Sequence, residues 1–167
     1  DVDKYMNDEA TSLCIACQKG HIDVVKLLLS DSRFDVNKDR DDGATPLYIA
    51  CQEGHIEVVR LLLADERIDV NKSLYSGGTP LCIACQEGQV EVVRLLLADE
   101  RVDVNKYGFD EATPFFIACQ KGHIDVVKLL LSDLRVDVNK RWYDGATPLY
   151  IACRKIRIEV VELLLSN

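Results

Sequence analysis

The chain has no apolar run near the ~20 residues that cross a membrane. It shows no leader of the secretory kind either. Both absences speak against a membrane and for a cytoplasmic or otherwise intracellular protein. Basic residues are short as well: 20 Lys and Arg stand against 28 Asp and Glu, a net charge of −8. Nucleic-acid binders gather Lys and Arg on one face, so the phosphate backbone is a poor partner for this chain. No Ser-His-Asp order, phosphate loop or paired-carboxylate pocket stands out, so no catalytic residue, metal or cofactor is expected. The seven cysteines are odd in number, which argues against an oxidised framework and for a reducing compartment. The first residue is Asp1 and not Met, which reads as a processed or trimmed chain.

What is present is repetition. Thr45 to Leu63 reads TPLYIACQEGHIEVVRLLL, and the stretch recurs with its first Thr at 11, 45, 79, 113 and 147, a constant step of 34 residues. Five copies fill residues 1–167, approximately 1–34, 35–68, 69–102, 103–136 and 137–167. Thr45 is a good N-cap, and Pro46 suits the first helical position. Leu47 to Glu53 makes two turns, and Gly54 supplies the left-handed residue that ends them. A second helix runs from about Ile56 to Leu63. Its apolar face is wide and its polar stripe narrow, with a carboxylate three residues before a base in four copies: Asp23 and Lys26, Glu57 and Arg60, Glu91 and Arg94, Asp125 and Lys128. Neither helix is long enough to persist alone in water. Each unit buries its faces only against copies of itself, so the fold class is an all-α helix-turn-helix solenoid with projecting finger loops.

After each second helix, Phe34, Ile68, Val102 and Val136 tuck under the helices, and Asp35 and Asn37 with their equivalents bond a looping backbone. Six variable residues then lead to the next Thr through turn residues such as Asp42-Gly43-Ala44. Cys14 and Cys17, and Cys82 and Cys85, make two C-x-x-C pairs, but they lie two repeats apart and share no metal. Cys17, Cys51, Cys85, Cys119 and Cys153 fall at one repeat position, too far apart for disulfides and suited to packing. His21, His55 and His123 are equally spread, and each is expected to bond backbone between neighbouring repeats.

The aromatics are unevenly placed. Tyr5, Tyr75, Tyr107, Phe109, Trp142 and Tyr143 fall on the fingers; Tyr48, Phe116 and Tyr150 fall at the fourth position of the motif. Met6, Arg40, Leu74 and Arg141 are also on fingers. Rings and Arg gathered on one face are how binding surfaces look, so these thirteen residues are the expected partner contacts. The acids Asp39, Asp41, Asp42, Asp110 and Glu111 favour a partner with basic rim residues.

The Thr-Pro-Leu opening, the Gly54-His55 pair, the VV-x-LLL helix and the Asp69-Val70-Asn71 ending resemble the ankyrin repeat family, over essentially the whole chain. The resemblance implies L-shaped units stacked into a curved slab, fingers and first helices lining a concave face that binds protein. Three departures stand out. The step is one residue longer than the family's roughly 33, with the insertion before Asp-Val-Asn. The family's His at the fourth position is replaced by Cys14, Tyr48, Cys82, Phe116 and Tyr150, which removes a hydrogen bond at the finger base and frees the position to vary. Ser12 replaces Pro in the first copy, and Ile156-Arg157 replaces Gly-His in the last. Near-identity elsewhere fits a natural adaptor and a selected, consensus-like binder alike. A monomer is expected. The first copy keeps the internal residues Ile22, Val24 and Val25, and the last gains Arg154, Arg157 and Glu162 without a finger. Caps this weak fit a piece of a longer array or, as the alternative function, an array that stacks end to end.

Overall fold

A computed structural model of the protein describes residues 11–166. Among them the chain forms ten α-helices in five pairs and no strand. The first helices are α1 (Ser12–Lys19), α3 (Pro46–Glu53), α5 (Pro80–Glu87), α7 (Pro114–Lys121) and α9 (Pro148–Arg154). The second are α2 (Ile22–Ser30), α4 (Ile56–Leu63), α6 (Val90–Ala98), α8 (Ile124–Ser132) and α10 (Ile158–Leu165). Each first helix packs on the next first helix, and each second helix on the next second helix. This is an all-α solenoid.

Each first helix begins as its sequence dictates. The Thr45 hydroxyl accepts from the Tyr48 N–H at 3.1 Å, and Thr11, Thr79, Thr113 and Thr147 repeat the cap. Four of these threonines are buried, so the cap satisfies donors that water does not reach. Gly54 ends α3 at φ +72°. The left-handed backbone there is what calls for glycine; the end of the Gln89 side chain from the next repeat fills the space beside it. The last copy breaks the rule: Ile156 stands where the others have Gly and adopts φ +55°.

The core is one continuous strip of Leu, Val, Ile, Ala and Cys, with Leu47, Ala50, Cys51, Val59 and Leu62 at most 1% exposed. Three kinds of bond sew the first three junctions between repeats at the polar edge, and the first kind also joins the last two repeats. His55 bonds the Gln18 carbonyl at 3.0 Å, and His123 bonds that of Gln86 at 2.9 Å, as the histidine spacing leads one to expect. Gln89 and Arg157 reach back in the same way. Asn37 donates to the Arg67 carbonyl at 2.7 Å and accepts from the Asp69 N–H at 2.8 Å, a pattern repeated at Asn71 and Asn105.

The third bond joins an Asp-Arg clasp to the helix end of the preceding repeat. Arg67 is clasped by Asp65 at 2.6 Å and donates to the Leu29 carbonyl at the end of α2. Arg101 and Arg135 do the same for α4 and α6 through Leu63 and Leu97. Orphan carbonyls at a helix end are thus met by a cation from the next unit. The clasp has its own sequence signal, the Asp-x-Arg triplet at 31–33, 65–67, 99–101 and 133–135, which the expectations above do not use.

Candidate functional site

The fingers are built alike. In the 39–44 finger the Arg40 N–H donates to the Ala44 carbonyl at 3.0 Å, and the Gly43 N–H closes the turn on Arg40 at 2.8 Å. The 73–78 and 141–146 fingers repeat this through Leu74 with Gly78 and Trp142 with Ala146, both at 2.9 Å. Gly43, Gly77 and Gly145 hold the turn at positive φ. In the 107–112 finger that place belongs to Glu111, at φ +59°, preceded by Asp110 at φ +50°. Without a glycine this turn tightens into a 3-10 segment, Phe109–Glu111.

Three of the fingers rest on the fourth position of the motif that precedes them in the chain. The Cys14 thiol points at the Lys38 and Ala44 carbonyls, at 3.6 and 4.0 Å. Cys82 lies against Gly108, where any Cβ would overlap its sulfur. Phe116 lies under Trp142, ring centroids 5.5 Å apart. The contact beneath the finger differs at each of these three junctions. The fingers also touch one another. Tyr75 N–H donates to the Asp42 carbonyl at 3.2 Å, and the Trp142 indole N–H donates to the Asp110 carbonyl. The Phe109 ring occupies the room left by Gly78, where other fingers carry Ala44, Ala112 and Ala146. Lys72 bonds the Asn37 carbonyl at 2.9 Å and the Asp39 carboxylate at 3.3 Å.

The expected contact residues therefore divide. Tyr75, Tyr107 and Tyr143 are 76%, 47% and 68% exposed on successive fingers, and Tyr150 is 53% exposed at the last helix pair. Arg141 is exposed too. Lys140 sits 4.1 Å from the Tyr107 ring centroid and steadies it. Arg40, Leu74, Phe109 and Trp142 are half-buried and shared between surface and finger packing. Tyr48 and Phe116 are a correction: at 4% and 1% exposure they are packing residues, Phe116 lying beneath the Trp142 ring of the following finger. Burial also pushes the Tyr48 hydroxyl well above the ordinary tyrosine range. Tyr5 and Met6 lie outside the described residues.

The remaining chemistry is quiet. Six of the seven cysteines are buried free thiols. Burial pushes Cys119 up to about 12 and raises Cys14, Cys17, Cys51, Cys82 and Cys85 too. Thiols so placed are not nucleophiles. Among the described residues no group of three or more His, Cys, Asp or Glu is placed to hold a metal ion. No helix among them is long and apolar enough to cross a membrane.

A family model described as ankyrin repeats (3 copies) matches residues 1–73, 68–142 and 101–167, overlapping matches that run the length of the chain. Comparison with curated proteins found no match.

Proposed function

The chain belongs to the ankyrin repeat family, whose members are in general protein-interaction modules, and on that premise we propose that it binds a protein partner through its finger tips. The observation that carries the reading is the row of exposed tyrosines, Tyr75, Tyr107 and Tyr143, one on each of three successive fingers. Large rings held in water do not stabilise a fold, and they give contact area with few rotors to freeze. The backbones beneath them are tied to neighbouring repeats by the bonds just described. Little ordering entropy is then lost on docking. Arg141 and the exposed acids Asp41, Asp42, Asp110 and Glu111 would form a charged rim around the rings.

The test is affinity capture from cell lysate with the intact chain and with Tyr75→Ala/Tyr107→Ala/Tyr143→Ala. These side chains are exposed, so the melting temperature should fall only slightly, through loss of the Lys140–Tyr107 and Trp142–Tyr143 contacts. Trp142 is left in place because it packs on Phe116. Capture that disappears in the variant supports the reading; capture that persists unchanged opposes it.

One observation favours a second reading, end-to-end association. Ile15 is 39% exposed where its internal equivalent Ile49 is 3% exposed, and Val24 and Leu27 are open beside it. At the other end Ile158 and Leu165 are open. Sedimentation over a wide concentration range tests this: growth into longer species supports stacking, and an unchanging monomer rules it out.

A further inference from the structure

Between the 107–112 and 141–146 fingers lies an open recess of about 500 Å³, lined by Asp110, Glu111, Trp142 and Tyr143. Two carboxylates and two rings meet there. The Trp142 and Tyr143 rings stand edge to face, centroids 4.5 Å apart at 67°. Trp142 is fixed from behind by Phe116 and from the side by its bond to the Asp110 carbonyl. The indole is therefore a held platform. Among the described residues neither the Asp110 nor the Glu111 carboxylate takes part in an ion pair, in contrast to Asp39 and Asp65. Both acids are exposed on the rim. Arg141, the exposed residue just before Trp142, does not line the recess.

We infer that this recess receives an arginine side chain of the protein partner. The inference rests on the protein-binding reading and sharpens it. A guanidinium is flat, weakly hydrated and forked. It stacks on an indole face while its N–H groups pair with carboxylates beside it. An ammonium pairs with the same acids but gains less from the flat ring. An anionic or purely apolar ligand would leave two carboxylates facing it without compensation. The net charge of −8 draws a basic segment toward the whole surface, and the recess selects which side chain seats.

The chain has a single tryptophan, so Trp142 emission and its one indole N–H resonance report on the recess alone. The intact protein is titrated at low salt with a blocked peptide of one Arg flanked by glycines. The same peptide with Lys, and one with Gln, run beside it. The expected result is a saturable shift of the indole resonance with the Arg peptide and a several-fold weaker response to Lys. Asp110→Asn/Glu111→Gln should weaken the Arg response about tenfold, as loss of a charge-assisted fork does. Asp41→Asn/Asp42→Asn, the same change of charge on another finger, should alter it less than about twofold. No saturable shift with Arg overturns the inference. So does an equal loss in both double variants, which would mean attraction to net charge alone, and so does an equal response to Lys. A protein that still captures its partner through Tyr75 and Tyr107 but shows none of these shifts keeps its binding role and loses the arginine site.

Discussion

The ring of Phe116, in the first turn of α7, lies 5.5 Å from the indole of Trp142, which belongs to the following finger. The same motif position is covered at Tyr48, 4% exposed, and open at Tyr150, 53% exposed. Tyr150 stands in the last helix pair, where no finger follows among the described residues. Covering is done by the next unit's finger. Finger and fourth position are one packing problem, solved differently at each junction: ring on ring at Phe116, sulfur against glycine at Cys82, thiol to carbonyl at Cys14.

Phe116→Ala should destabilise the protein by about 3–5 kcal/mol, the usual cost of emptying a buried phenylalanine site. Phe116→Ala and Trp142→Ala should also be coupled, by about 0.5–1.5 kcal/mol in a double-mutant cycle read by urea unfolding. Strict additivity would show that the rings do not support each other.

Ile156 adopts φ +55° at the end of α9, where four other copies have Gly. A β-branched residue in that region is strained. Ile156→Gly should raise stability by about 1 kcal/mol, and its exposed side chain leaves no cavity behind. A lower melting temperature would mean that the side chain contributes more than its backbone costs.

The helices and their caps were legible because their signals are local and repeat in register. Thr45, Pro46 and Gly54 act within one turn of themselves, and the His55 bond follows from its recurrence. The finger surface was only half legible. Tyr75 and Tyr143 face water as expected, but whether Tyr48 or Phe116 does depends on what the next finger lays over it. No pattern within one repeat carries that information. Gly78 and Phe109 show the difficulty: the ring's place is set by a hydrogen atom where other copies have a methyl group.

The Arg67 guanidinium, hydrogen-bonded to Asp65, holds that carboxyl below its ordinary value, and Arg101 and Arg135 do so for Asp99 and Asp133. Asp31 is held at about 2 by Arg33. A carboxyl lowered in the folded state binds protons more readily once unfolded. Its contribution is therefore complete above the ordinary value near pH 4 and lost as pH falls toward about 2. Melting temperature should drop across that window, and Asp65→Asn/Asp99→Asn/Asp133→Asn should drop less steeply than the parent. Parallel curves would remove the clasps from the account.

Cys153 is the exposed thiol among six buried ones. Iodoacetamide at about pH 8, which reacts with thiolate, should label Cys153 alone in the native protein and all seven cysteines in denaturant. Mass spectrometry reads the sites. Native labelling of Cys51 or Cys85 would contradict the buried column.

A benzophenone amino acid placed at Tyr75, Tyr107 or Tyr143, and in parallel at Arg60 on the exposed side of α4, tests the central claim directly when the intact protein is irradiated in cell lysate. The account predicts a discrete covalent adduct with another protein from the finger positions and none from Arg60. Adducts from Arg60 with none from the fingers would contradict it.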